Sequence, residues 1–341
     1  MVTSDAKKQL LKLLLRIAVT VGLLTWVLQK ISPVDLQSVA AHAEWQYLVL
    51  VCLFNVLLFW IRGFRSQLIF KRLDCPVSVN TLFGATAVMT LYGMVLPGVL
   101  SLAAKWQVLK RCTGKGSKVL SGMLYSQVSV MLVMLVFGLL ALALGGPVDK
   151  TPMSQAGGAG YLYVATAVLL ALVLVTYACM CSPAGTLLDS LFHAMVRGLP
   201  EPVARKVRTV AGQLAVFRTV GLRFHLTIAS LTFVTGVMGG GVLLKLAAQS
   251  VGISVPALVF VWMYVLVYLL GRLPISVANC GVREFVIVGV LGAFGIDSSA
   301  ALLMSVNLFA AQLFLAFIGA LYQLSWSLGG NENSNQSSVN K

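Results

Sequence analysis

The residues best suited to chemistry in this sequence stand near a proline late in the chain. Arg283 and Glu284 directly precede a short apolar helix predicted for residues 285–296. A guanidinium group binds phosphate, and free N–H groups at a helix start assist it. Glu284 is favoured there by the helix dipole and is our candidate for a coupling group that binds a proton or a cation. Neighbours on a helix need not pair, so an arginine reaching to water beside a capping glutamate is the alternative.

The candidate ligands for a lipid phosphate share a position next to an interrupted apolar segment. They are Lys105, Arg272, Ser276, Asn279 and Arg283. Lys105 lies on a predicted helix over residues 98–111 and would face Arg283 across a central groove. A solvated lysine on a cytoplasmic helix is the alternative.

The sequence lacks the motifs that ATP-driven transport and metal binding require, and its positive charge has another explanation than nucleic-acid binding. The sequence has no G-x-x-x-x-G-K-[ST] stretch, so ATP is not the direct energy source. The six cysteines include no C-x-x-C pair and the three histidines stand far apart, so we expect no metal and no cofactor. The net charge of +15 is also a feature of nucleic-acid-binding proteins. Here the basic residues sit in short loops beside apolar segments, and anionic lipid headgroups are the expected partners.

The composition indicates an all-α, polytopic membrane protein. The chain of 341 residues is 59% hydrophobic and only 10% charged, against roughly 25% charged in soluble proteins. Its mean hydropathy is +0.92. The stretches without charged residues are 45–61, 75–104, 119–148, 151–188, 226–244, 246–271 and 298–331.

A crossing helix needs about 20 apolar residues, so a bundle of about seven to nine spans is expected. We assign residues 1–330 to this single transmembrane domain and expect residues 331–341 to be a disordered polar tail. Residues 10–29 form the first span, with Lys12 and Arg16 at its start. A cleaved signal peptide is the alternative, but the Ala41-His42-Ala43 site lies too far along the chain.

Basic residues indicate the orientation of the bundle. They cluster in residues 7–16, 62–72, 105–118 and 197–223, whereas the intervening turns hold three lone lysines. Basic loops stay in the cytoplasm. We therefore expect Met1, Thr113 and Pro200 on the cytoplasmic side of the inner membrane, with Pro33 and Gly157 outside.

Two breaks interrupt the apolar pattern. Residues 75–104 have basic groups on both flanks, and two full crossings would need about 40 residues. We predict a re-entrant hairpin that turns at Pro97 and Gly98, with a proline-kinked helix as the alternative. Pro274 and Gly281 mark a second break of similar layout, which predicts an internal repeat with a substrate site between its halves. Coincidence is the alternative there, because Leu-Pro is a common dipeptide.

Two further features carry positive charge. Arg62 and Arg65 follow Trp60 and are interpreted as interfacial anchors at the level of the headgroups, with a role as ligands as the alternative. In the polar loop of residues 183–225, apolar side chains recur every three or four residues after Pro202. This pattern predicts an amphipathic helix on the cytoplasmic leaflet. A docking site for a cytoplasmic or membrane protein partner is the sharper alternative.

The late motif resembles a known family. Leu273-Pro274-Ile275-Ser276, Gly281-Val282-Arg283-Glu284 and Phe294-Gly295-Ile296 are similar to the transmembrane-region family of lysyl-phosphatidylglycerol synthases, which are flippase-like integral membrane proteins. The Arg62/Arg65 pair and Leu96-Pro97-Gly98 add to the resemblance, which covers about residues 10–328. It implies a lipid flippase without the soluble aminoacyl-transferase domain.

The sequence departs from the family pattern at two places. Ser101-Leu102 stand where the family often has a Gly-Gly-acidic triplet, and Lys105 replaces an arginine. Ala278-Asn279 occupy positions that are often Gly-Gly. The first departure weakens the transfer of lysyl-phosphatidylglycerol as the substrate.

Three functions are compatible with these residues. The first is a lipid translocase, not an enzyme, that moves an anionic, phosphate-bearing phospholipid or polyprenyl-linked lipid across the cytoplasmic membrane. The alternative is a non-transporting scaffold subunit for a glycosyltransferase or an envelope-lipid pathway. A membrane-embedded lipid transferase is less favoured, because acid–base chemistry needs a positioned carboxylate or histidine and only Glu284 and Asp297 lie near predicted cavities.

Overall fold

The computed structural model describes residues 44–94, 98–145, 216–271 and 281–339, together with Ala167, Ala171, Thr209 and Gly212. Every regular element in these residues is helical, which confirms the predicted helical class. The elements are α1 (Trp45–Arg72), α2 (Val79–Gly93), α3 (Gly98–Thr113), α4 (Gly116–Gly145), α5 (Val216–Thr219), α6 (Leu222–Thr232), a π-helix (Phe233–Met238), α7 (Gly239–Gln249), α8 (Ala257–Leu270), α9 (Val282–Gly292) and α10 (Ser298–Val339).

Four helical stretches of the described chain are long and apolar enough to cross a membrane. They are Trp45–Arg72, Gly116–Gly138, Leu222–Gln249 and Ser298–Trp326. Large apolar side chains on their outer faces are exposed, among them Trp45 at 72% and Phe317 at 60%. Water would penalise so much exposed apolar surface, whereas lipid solvates it. The chain is therefore a multi-pass membrane protein. The predicted span of residues 10–29 and most of 151–188 lie outside the described residues.

α2 and α3 form a pair whose outer ends meet at one end of the molecule. Lys115 Nζ donates to the carbonyl oxygen of Asp74 at 2.8 Å, and the Lys118 ammonium lies 3.6 Å from the Asp74 carboxylate. The loop before α2 thus touches the residues that follow α3. α2 has 15 residues and extends about 22 Å, less than a hydrocarbon core of ~30 Å. Gly98 begins α3, while Pro97 lies outside the described residues.

The short late helix begins earlier than the apolar pattern predicted. α9 spans Val282–Gly292 rather than residues 285–296. Gly281 has a φ of 83°, a left-handed conformation that glycine adopts readily, and its N–H donates to the Glu284 carboxylate at 2.7 Å. The Glu284 carboxylate thus satisfies the N–H of the residue that precedes the helix, and the helix starts at Val282. The predicted site residues Arg272, Pro274, Ser276 and Asn279 lie outside the described part of the chain.

The last helix, α10, spans Ser298–Val339. The disorder predicted for residues 331–341 stays a prediction. Within the polar loop of residues 183–225, the structure describes α5 and the two single positions Thr209 and Gly212 before α6 begins.

A close helix crossing joins α2 to α10. A Cβ atom added to Gly319 would overlap the backbone carbonyl group of Ala87. Phe83, Ala87 and Leu315 form a buried apolar cluster at this crossing. Small residues let two helix backbones approach closely in a membrane bundle, so Gly319 fixes the distance between α10 and the α2–α3 pair.

Gly319→Ala is expected to destabilise the protein by about 1–3 kcal/mol, because the added methyl group forces α10 away from α2. The measurement is the unfolding temperature of the detergent-solubilised protein. Gly289→Ala is the matched control, since Gly289 is a helical glycine with no neighbouring atom near its Cβ position. Equal unfolding temperatures for the two variants would contradict the close crossing.

Candidate functional site

A cavity of about 160 Å³ lies at the meeting point of α1, α2, α3, α4, the π-helical region and α8. Three cationic side chains and several hydroxyl groups line it. We call it the arginine cavity and define it by Arg62, Arg65, Lys105, Ser126, Thr232 and Thr235.

Arg65 is the most buried cation of the arginine cavity, with 7% of its surface exposed. Its Nη1 atom donates to Thr232 Oγ1 at 2.9 Å, and its Nη2 atom donates to Ser126 Oγ at 3.1 Å. Its Nε atom has no hydrogen-bond partner among the described residues. Thr232 Oγ1 donates its own proton to the Ile228 carbonyl at 2.7 Å, which leaves its lone pairs for the arginine. Neutral oxygens hold this guanidinium group and do not compensate its charge.

Arg62 lies one helical turn before Arg65 and faces the same cavity. Its Nη2 atom donates to the Thr235 carbonyl oxygen at 2.9 Å and to the Tyr264 hydroxyl at 3.2 Å. Its guanidinium carbon lies 4.9 Å from the centre of the Phe59 ring. These partners are also neutral, so Arg62 adds a second positive charge to the cavity.

The π-helix supplies the carbonyl acceptor of Arg62, and the residue just before it supplies a hydroxyl acceptor of Arg65. α6, the π-helix and α7 form one continuous helix, and the irregular stretch covers Phe233–Met238. A π-helical turn holds an extra residue and interrupts the regular pattern of backbone bonds, and such turns are frequent at functional sites. Thr235 and Gly236 of this stretch, with Thr232 just before it, line the cavity.

Lys105 brings a third positive charge from α3 into the arginine cavity, where it is half-buried. No aspartate or glutamate is among the described residues that line the cavity. Cations removed from water need a counter-charge or many hydrogen-bond acceptors. The arrangement therefore suits an anion, and the planar fork of an arginine matches the oxygens of a phosphate group.

These positions differ from the sequence-based interpretation of the basic residues. Arg62 and Arg65 were interpreted as interfacial anchors, but both guanidinium groups turn inward, because α1 presents Leu58, Arg62, Arg65 and Ile69 on its packed face. Charge alone does not tell which face of a helix a residue occupies.

Sequence reasoning missed the residues that hold the arginines, above all Ser126, Thr232 and Thr235. An available signal was their position. They are polar residues inside otherwise apolar spans, and such residues are costly in lipid and often functional.

Arg283 and Glu284 form a separate, buried network with α10. Arg283 Nη2 lies 2.5 Å from Glu284 Oε1, and Arg283 Nε donates to Ser305 Oγ at 2.8 Å. Ser305 Oγ in turn donates to Glu284 Oε1 at 2.8 Å. Arg283 and Glu284 are only 7% and 6% exposed. The two neighbours pair because both side chains turn toward Ser305 in the first turn of α9.

The network differs from the shared groove predicted for Lys105 and Arg283. Arg283 is not among the described residues that line the arginine cavity, and Glu284 compensates its charge. Lys105 instead lines the same cavity as Arg62 and Arg65. Glu284 caps α9 through Gly281 and serves as the counter-ion of Arg283. A coupling role for Glu284, like the internal repeat, stays a prediction.

Glu284→Gln is expected to cost about 3–5 kcal/mol of stability, because it leaves Arg283 buried without a counter-charge. Replacing both charges with apolar residues, as Arg283→Met with Glu284→Leu, should restore part of that loss. Ser305→Ala should cost less, about 1.5–3 kcal/mol, since it removes hydrogen bonds to the two charged groups and leaves them paired with each other. Unfolding temperatures of the four proteins give the comparison. A double variant less stable than Glu284→Gln would contradict the buried pair.

One comparison with known proteins gives a match. A family model described as the lysylphosphatidylglycerol synthase TM region matches residues 13–320. No curated protein and no solved structure matches the chain. The matched range contains the four apolar stretches up to residue 320, the arginine cavity and the Arg283–Glu284 network.

Proposed function

The chain belongs to the lysylphosphatidylglycerol synthase TM region family, and from this premise we propose that it is a lipid translocase. It moves an anionic, phosphate-bearing phospholipid or polyprenyl-linked lipid across the cytoplasmic membrane. No bond of the lipid is made or broken, so the proposed activity is transport rather than catalysis.

The arginine cavity is the observation that carries this proposal. It gathers three cations within about 160 Å³, and its described lining holds no carboxylate. Arg62 and Arg65 rest on hydroxyl and carbonyl oxygens, which a phosphate can replace with stronger, charge-assisted hydrogen bonds. The apolar tails stay in the surrounding lipid while the phosphate occupies the cavity. Exposing the cavity to each side in turn moves the headgroup.

A topology is part of the proposal. The N-terminus is cytoplasmic, the bundle has about seven to nine spans, and α2 with α3 forms a re-entrant hairpin. The contacts of Asp74 with Lys115 and Lys118 support the hairpin, since they join its two outer ends. The shortness of α2 supports it too. Lys105 then enters the cavity from the returning arm of the hairpin.

A transport assay tests the proposed function. The full chain is reconstituted into vesicles with fluorescent phosphatidylglycerol or polyprenyl phosphate in both leaflets, and an impermeant quencher reports the lipid that reaches the outer leaflet. Vesicles with the protein should lose nearly all fluorescence, whereas protein-free vesicles keep about half. A plateau at half with the protein present, for both lipids, would overturn transport and favour a scaffold role.

Thiol labelling tests the topology. In a variant without its native cysteines, Lys71→Cys and Thr113→Cys should react with an impermeant reagent from the same, cytoplasmic side, because they flank the hairpin. Gly157→Cys should react from the opposite side. Labelling of Lys71→Cys and Thr113→Cys from opposite sides would mean that the α2–α3 pair crosses the membrane.

A further inference from the structure

The arginine cavity is small for a complete phospholipid headgroup. Its volume of about 160 Å³ is close to that of a cavity of ~150 Å³ that holds one benzene molecule. A terminal phosphate has a similar bulk, whereas a phosphate that carries a second substituent besides its lipid, such as the headgroup glycerol of phosphatidylglycerol or a sugar, is larger. Met89 and Met123 are among the wall residues and would have to move for such a headgroup.

The positive charge of the described lining also exceeds the negative charge of a phosphodiester. Arg62, Arg65 and Lys105 contribute three positive charges, and a diester offers a single negative one. A phosphomonoester carries a charge of about −1.5 to −2 at pH 7, because its second pKa is near 6. It also presents three unsubstituted oxygens. The Nη atoms of Arg62 and Arg65, whose present acceptors are neutral oxygens, are donors for these oxygens.

Resting on the proposed translocase function, we infer that the arginine cavity binds a terminal phosphate. The transported substrate is then a lipid phosphomonoester, such as phosphatidate or a polyprenyl monophosphate, rather than a phosphodiester lipid. Inorganic phosphate shares this chemistry, so the test includes it as a separate ligand.

Protonation of the ligand gives this inference a signature. The charged or titratable lining groups in the described chain are Arg62, Arg65, Lys105 and Tyr268. Histidine, which ordinarily titrates near pH 6.5, and carboxylates, which ordinarily titrate near pH 4, are not among these described lining groups. His225 lies on α6 outside this lining, where its ring nitrogens bond the Tyr125 hydroxyl at 2.7 Å and the Phe217 carbonyl at 3.1 Å. Acidification should therefore act mainly on a bound monoester.

The experiment measures binding to the full chain in detergent at pH 7.5 and pH 5.0, with phosphatidate, polyprenyl monophosphate, inorganic phosphate and phosphatidylglycerol as ligands. At pH 7.5 the lipid monoesters should bind at least tenfold more tightly than phosphatidylglycerol. Their affinity should fall about tenfold at pH 5.0, as the dianion fraction does. Phosphatidylglycerol keeps its charge, so its affinity should not change and reports any titration of the protein itself.

Two variants sharpen the test. Met89→Ala enlarges the cavity and should reduce the ratio between the affinity for lipid monoesters and the affinity for phosphatidylglycerol. Arg65→Gln should weaken monoester binding and reduce its pH dependence.

The outcomes separate the two proposals. Equal or tighter binding of phosphatidylglycerol, with no pH dependence for any ligand, overturns the monoester inference and leaves the translocase proposal standing. Binding of inorganic phosphate but of neither lipid monoester supports the terminal-phosphate chemistry and overturns lipid transport. Absence of binding by every ligand overturns both.

Discussion

Arg65→Gln is expected to reduce lipid transport roughly tenfold to hundredfold without lowering the unfolding temperature. This loss of transport rate corresponds to a free energy of about 1.5–3 kcal/mol, which is the contribution of a hydrogen bond to a charged group. Glutamine can still bond Thr232 and Ser126, the present partners of the guanidinium group. Removing a buried cation that neutral oxygens hold also removes a desolvation cost. Stability and transport should therefore move independently, or in opposite directions.

Lys71→Gln is the matched control for this prediction. Lys71 stands on the same helix and carries the same charge, but it is exposed and does not line the arginine cavity. Its variant should transport at the rate of the unaltered protein. Arg65→Lys should be intermediate, because it keeps the charge and loses the planar fork. Full transport by Arg65→Gln would reduce Arg65 to a structural role, and a lower unfolding temperature would assign the loss to folding.

The helical class and the main apolar spans could be predicted from composition because lipid imposes them directly. A segment such as Trp45–Arg72 must satisfy its backbone internally and expose apolar side chains, which leaves a long run of uncharged residues. The α2–α3 pair could also be anticipated. The charges on its flanks and the glycine at residue 98 are local features, and the helices begin and end near them.

The arginine cavity could not be predicted, because it depends on which helix faces meet. Arg62 and Arg65 follow an aromatic residue and precede a basic cluster, which is also the pattern of a headgroup anchor. Their true partners lie on other helices, Ser126 on α4 and Thr232 on α6. The π-helix that supplies Thr235 O has no signature in the apolar pattern of residues 226–244. Long-range packing decides these contacts.

The Arg283–Glu284 pair shows how tertiary contact overrides a local rule. Adjacent residues on a helix point in different directions, which predicted independent roles for the two. Ser305 of α10 and the N–H of Gly281 draw both side chains into one network. Arg283, which the family resemblance made most prominent, therefore has its positive charge compensated by Glu284. The described lining of the arginine cavity, by contrast, holds cations and no carboxylate.

Lys105 and Arg65 are expected to act on the same bound phosphate, so their losses should not add. Without a ligand the two cations repel each other in the cavity, and a bound anion relieves that repulsion. Lys105→Gln and Arg65→Gln should each weaken phosphatidate binding. The double variant should lose less binding free energy than the sum of the two single losses, with a coupling of about 0.5–3 kcal/mol.

The comparison cycle combines Lys105→Gln with the paired replacement Arg283→Met and Glu284→Leu. Because Arg283 is not among the described residues that line the cavity, that cycle should be additive within about 0.5 kcal/mol. Additive losses for Lys105 and Arg65, with coupling between Lys105 and Arg283 instead, would move the phosphate site to the groove between the two halves of the chain.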